Sequence, residues 1–227
     1  MTRDRLLRAR REARDEAAPF VAIGVLMMAA LAVVSAVENW ELFARRDWWI
    51  WIVLTVPLAC LAVVLVSGIG VSATEGDRGR TLVVTLIASV VVGSLAALAA
   101  VVTSLVTSAL PGGQLLVTAA AILVVNVIAF GLALWELDCG GPVARSERPR
   151  QAPDLQFPQD ENPSLARSGW VPQLLDYLYV SLTNSVAFSP TDAMPLSRPA
   201  KALMAIQGAA SAVTVLVVTA RAINTIG

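Results

Sequence analysis

Five apolar runs mark the chain, at residues 20–37, 48–71, 81–110, 115–134 and 200–223, with polar text between them. Each is close to or above the roughly 20 residues that cross about 30 Å of hydrocarbon at 1.5 Å per residue. The pattern predicts an all-α integral membrane protein with five transmembrane helices. A sixth segment differs in kind. Within residues 172–188, "QLLDYLYVSLTNSVAF" carries Leu174, Leu175, Leu178, Leu182 and Val186 near i, i+4, i+8 spacing, with Tyr177, Tyr179 and Ser181 on other faces. At roughly 14 residues it falls below the spanning limit, and Pro190 and Pro195 stop it. A short re-entrant helix before the last span is expected.

The same pattern divides the chain into a charged N-terminal segment (1–17), a four-helix transmembrane region (18–137), a polar connector (138–169) and the re-entrant helix with the last span (170–227). The head, "MTRDRLLRARREARDE", is too long and too mixed in charge for a signal peptide, and no small-residue cleavage site follows Val37. It reads as a solvated helix whose Arg excess can touch anionic headgroups. Trp48, Trp49 and Trp51 mark one membrane face. Two rows of small residues in the third run, Ser89/Gly93/Ala97 and Ala96/Ala100/Ser104/Ser108, suit close helix packing. The connector shows no helix or strand signal, although "DLQFP" and Trp170 offer anchoring points.

Composition narrows the chemistry. Hydrophobic residues make up 56% of the chain and charged ones 15%, with no His and two Cys. Without His or paired thiols the usual transition-metal and haem ligand sets are missing, as are His-dependent triads. No phosphate-binding glycine loop, zincin motif or serine elbow occurs. The expectation is therefore no enzyme, no cofactor and no metal, and a formal charge of zero argues against a nucleic-acid partner. Cys60 and Cys139 read as free thiols. Of the 17 Lys and Arg residues, all but Arg45, Arg46 and Arg221 fall on one side of a five-span layout. That bias predicts a cytoplasmic N-terminus and an extracytoplasmic C-terminus, with the connector inside.

Candidate functional residues follow from polar groups at membrane depth. Thr183, Asn184, Ser185, Ser189, Thr191 and Asp192 lie in and after the half-length run, where hydroxyls, an amide and a carboxylate could replace an ion's hydration. The last run carries Gln207, Ser211, Thr214 and Arg221 on one face, a stripe suited to a pore axis or to a neighbouring helix. Asn126, inside the fourth run, needs a partner because a lone amide in hydrocarbon is costly, and a stripe residue is the candidate. Glu136 and Asp138 end the fourth span and could form an acidic vestibule with Asp176 and Asp192, or serve packing.

The order of helix, connector, short helix, polar turn and last helix resembles the pore module of tetrameric cation channels. "DYLYVSLT" (176–183) looks like a potassium-channel pore helix, and "AMPLSRPAKALM" (193–204) looks like the exit and start of an inner helix. The glycine filter is absent: Thr183 is followed by Asn184, Ser185, Val186, Ala187 and Phe188. "NVIAFGLALWELDCGGP", "FSPTDAMPLSRPAKALM" and "ARAIN" are similar to an uncharacterised family of bacterial integral membrane proteins of about this length. That resemblance implies a bacterial cytoplasmic membrane location and brings no activity. Two readings stand. One is a channel-like homo-oligomer, a tetramer by resemblance only, passing a monovalent cation or small polar solute. The other is a non-conducting scaffold or accessory subunit, with the same polar groups buried and bonded inside one protomer.

Overall fold

The computed structural model describes residues 3–38, 49–67, 77–107, 112–145, 152–162, 164, 166, 168–187 and 193–226. Among the described residues the architecture is all-helical apart from one two-residue strand pair. Long helices are α1 (Arg3–Val37), α2 (Trp49–Ser67), α3 (Asp77–Thr107) and α4 (Gly112–Leu137). After α4 come a 3-10 turn (Asp138–Gly140) and the short α5 (Pro142–Arg145). Strand β1 (Leu155–Gln156), the short α6 (Pro158–Glu161) and the half-length α7 (Leu174–Val186) follow. Strand β2 (Met194–Pro195) leads into the last long helix, α8 (Arg198–Ile226).

Four of these helices, α1, α3, α4 and α8, are long and apolar enough to cross a membrane. The apolar part of α2, Ile50–Val66, is shorter. The long helices bear large apolar side chains on their outer faces, including Leu26, Val33, Val92, Val117 and Leu216. A water-soluble surface does not gather such residues, whereas hydrocarbon accepts them at no cost. This is a multi-pass membrane protein.

Helix α4 is the centre. More than half of its apolar window is buried, against a third or less for α1, α3 and α8. It packs on α1, α3, α7 and α8, while α2 sits between α1 and α3. Lipid tails are as apolar as Leu, so association here relies on close packing and hydrogen bonds more than on hydrophobic burial. The small-residue row works in this way: a Cβ on Gly93 would lie 3.6 Å from Leu54 of α2. Trp51 is fully buried in the core, so packing within the bundle has taken an indole that the sequence pattern assigns to the headgroup level.

The connector is more ordered than its composition suggests. Leu155 and Phe157 of "DLQFP" are buried, and β1 pairs antiparallel with β2, Leu155 opposite Pro195 and Gln156 opposite Met194. The Leu196 N–H extends that tie to the Asp154 carbonyl at 2.8 Å. The segment before α7 is thereby stapled to the segment before α8. Both hold a fixed position against the end of α4.

Candidate functional site

Helix α7 is where the polar chemistry gathers. Its thirteen residues span about 20 Å at 1.5 Å per residue, less than the hydrocarbon thickness. Its start is firmly capped. The Asp176 carboxylate accepts the Gln173 N–H at 2.7 Å in a capping box, and Glu16 of α1 accepts the Leu174 N–H at 3.0 Å. Both carboxylates sit at the positive end of the helix dipole.

The two faces of α7 are sharply different. Leu175, Tyr179, Leu182 and Val186 point outward and are half to two-thirds exposed. Leu174, Tyr177, Leu178, Ser181, Asn184 and Ser185 are buried against α4 and α8. The apolar spacing predicts Leu182 and Val186 on one face with Leu174 and Leu178. The structure divides them because Ser181, Asn184 and Ser185 have better partners inside than lipid could offer. Close approach to α4 depends on Gly131: a Cβ there would lie 2.6 Å from Leu178 Cδ2 and 3.2 Å from its Cα.

At the middle of this interface lies a network of neutral side chains. Gln207 of α8 is fully buried, and its amide nitrogen reaches Ser181 Oγ at 2.7 Å and Ser185 Oγ at 2.9 Å. An amide nitrogen has two hydrogens, so these two short bonds use both. Its longer approaches to Ser181 O (3.3 Å) and Asn126 Oδ1 (3.5 Å) are secondary. The Gln207 carbonyl oxygen accepts from Asn184 Nδ2 at 3.0 Å, and Asn184 gives its other hydrogen to Met204 O at 2.9 Å. Ser181 donates in turn to Val127 O of α4 at 2.8 Å, and Asn126 donates to Ser94 Oγ of α3 at 3.3 Å. Four helices are joined by one chain of bonds.

Of the other expected residues, Thr183 bonds its own helix at Val180 O, 3.0 Å away. Ser211 and Thr214 are buried beside Gln207; Thr214 donates to Ala210 O at 2.8 Å, and Ser211 Oγ has no partner among the described residues. Ser189, Thr191, Asp192 and the Arg221 side chain lie outside the described residues. Of the acidic vestibule, Glu136, Asp138 and Asp176 are described and each is bonded within the protomer, while Asp192 lies outside the described residues.

A second, ionic cluster closes the end of the bundle. Asp138 is buried, and its carboxylate accepts four bonds from residues further along the chain. Tyr177 OH lies 2.6 Å from Oδ2 and Arg145 Nη1 3.4 Å from it, while the Asp154 and Leu155 N–H groups reach Oδ1 at 2.8 and 3.1 Å. The Cys139 thiol is near at 3.7 Å. Arg145, 2% exposed, also donates to the Trp135 and Asp138 carbonyls at 3.0 Å and lies 4.9 Å above the Tyr177 ring. Burial pushes the Tyr177 phenol above its ordinary pKa; Arg145 opposes this and Asp138 adds to it. The phenol stays a neutral donor. Phe157 stacks edge-on against both Tyr177 and Trp170, at 5.3 and 5.9 Å. Glu136, mostly buried, pairs with Arg80 of α3 at 3.3 Å.

The sequence pattern brings out Asp138 and Gln207 but not Arg145 or Tyr177 as partners, nor Ser94. The signal for Arg145 is faint: it stands just after the "CGGP" turn, in which Cys139, Gly140 and Gly141 all have positive φ and fold the chain back on α4. Among the described residues no three Asp, Glu or Cys side chains converge as a metal would require. No family model, no curated protein and no solved structure matches the chain.

Proposed function

We propose that this protein is a non-conducting, non-catalytic membrane scaffold or accessory subunit in which α7 is a re-entrant wedge. One observation carries the reading: the inward polar face of α7 meets its hydrogen-bonding needs inside a single protomer, through Gln207 and the Val127 and Met204 carbonyls. A pore lining presents such groups to water instead. The outer face, with Leu175, Leu182 and Val186, suits lipid.

In this reading α2 is a fifth, thinner span and α7 enters and leaves on the connector side. The Lys and Arg bias supports a cytoplasmic N-terminus and an extracytoplasmic C-terminus, in a bacterial cytoplasmic membrane by resemblance. The order of half-length helix, proline-bearing turn and long helix favours a second reading, a homo-oligomeric cation pore. Flux assays on proteoliposomes separate the two. The scaffold reading expects parent liposomes no leakier to K⁺ or Na⁺ than empty ones at any voltage or pH. Cation flux that falls in Asp192→Asn would establish the pore.

A further inference from the structure

Beside the ionic cluster lies a cavity of about 480 Å³, between α1, α5 and the residues leading into α7. Small-ligand pockets run from roughly 300 to 1,000 Å³. Glu12 and Glu16 of α1, Trp135 of α4, Arg145, Trp170 and Asp176 contribute to its wall. Arg145 is the unusual member. Its Nη1 is fully engaged, whereas Nη2 is buried and has no hydrogen-bond partner among the described residues. An unmet donor on a buried guanidinium is costly and calls for an acceptor.

The charges around that donor restrict which acceptor fits. A guanidinium edge suits a phosphate or carboxylate oxygen. Arg145 is already neutralised by Asp138, and three further carboxylates, Glu12, Glu16 and Asp176, stand in the wall. A bare anion would therefore meet net repulsion. A group carrying its own ammonium would not, because the cation lies against the carboxylates while the anion reaches Nη2. The position agrees. The cavity lies at the end of the α4 span and one to three turns before the apolar run of α1 that begins at Phe20, with two indoles in its wall, which is where headgroups lie.

We propose that this cavity binds a zwitterionic phosphate-and-ammonium group, the headgroup chemistry of an aminophospholipid. The phosphate oxygen accepts from Arg145 Nη2, and the ammonium pairs with Glu12 and Glu16. The inference stands apart from the question of conduction, since it concerns a different end of the bundle.

Retention of added lipid by the full chain in detergent, read by native mass spectrometry, tests it. Phosphatidylethanolamine, phosphatidylglycerol and phosphatidylcholine are compared with free O-phosphoethanolamine. Saturable phosphatidylethanolamine binding, about fivefold or more above phosphatidylglycerol, is expected. Glu12→Gln removes an exposed carboxylate outside the ionic cluster and should reduce that preference by about threefold. Arg145→Lys should weaken binding further, and if it fails to fold, Glu12→Gln decides. Binding of free O-phosphoethanolamine with the same Glu12→Gln loss supports the site with a soluble source; binding of the lipid alone supports the headgroup. Equal retention of the three lipids, or a Glu12→Gln variant indistinguishable from the parent, overturns the proposal.

Discussion

The neutral network around Gln207 and the ionic cluster around Asp138 both fasten α7 to α4, yet they solve opposite problems. Around Gln207 the groups are amides and hydroxyls, and both hydrogens of each of the Gln207 and Asn184 amides have a partner within the protomer. Around Asp138 the groups are charged, and one nitrogen of Arg145 is left over. Neutral groups are cheap enough to bury that the bundle closes over them even with one hydroxyl, Ser211 Oγ, lacking a partner among the described residues. A buried ion pair survives only with extra bonds, and Asp138 collects them from Tyr177 and from the Asp154 and Leu155 N–H groups. The first region therefore reads as structure. The second has structure and an unmet donor, and so has room for a ligand.

That contrast can be broken by substitution, and the ionic side should break first. Asp138→Ala leaves a buried guanidinium uncompensated and frees Tyr177, Asp154 and Leu155, which should cost about 3–5 kcal/mol and threaten folding. A thermal melt of the full chain in detergent measures it; a shift no larger than that of a surface control would remove Asp138 from its central place. Gly131→Val comes next. Its side chain would collide with Leu178 backbone as well as side chain, so overpacking of about 1–3 kcal/mol is expected, with α7 displaced.

The neutral side should yield less. Gln207→Leu strands Ser185 and takes one bond each from Ser181 and Asn184, about 1–3 kcal/mol by the same melt. Asn126→Leu removes only long bonds, to Ser94 and Gln207, and should cost near the transmembrane average of about 0.6 kcal/mol. If Asn126→Leu proved worse than Gln207→Leu, the network would be centred on α4 and not on α8. A double-mutant cycle between the two sharpens the point, since residues sharing one network are not additive.

Much of the fold is legible because lipid imposes a plain code. Long apolar runs must be helices, and four of the five runs correspond to α1, α3, α4 and α8. The half-length helix is legible from its length and its prolines, and the buried stripe Gln207, Ser211 and Thr214 from its spacing. The ionic cluster is not. Tyr177 and Asp138 lie 39 positions apart, and Arg145 sits in a charged, proline-rich stretch that reads as solvated. Pairing of that kind depends on how β1 and β2 staple the connector back, and two-residue strands leave no period in the sequence. The inward turn of Ser181 and Ser185 is hidden for a related reason: apolar spacing alone cannot say which face of a short helix meets lipid.

If the polar face of α7 is consumed within the protomer, a cysteine placed on it is unreactive. Ser185→Cys is nearly isosteric, and with Cys60 and Cys139 replaced it is the sole thiol. Ser168→Cys, on the exposed stretch before α7, serves as the wetted control. In proteoliposomes treated with a charged methanethiosulfonate reagent on both sides, rapid modification at position 168 and none at position 185 are expected. Comparable modification at both would place the α7 polar face in water and contradict it.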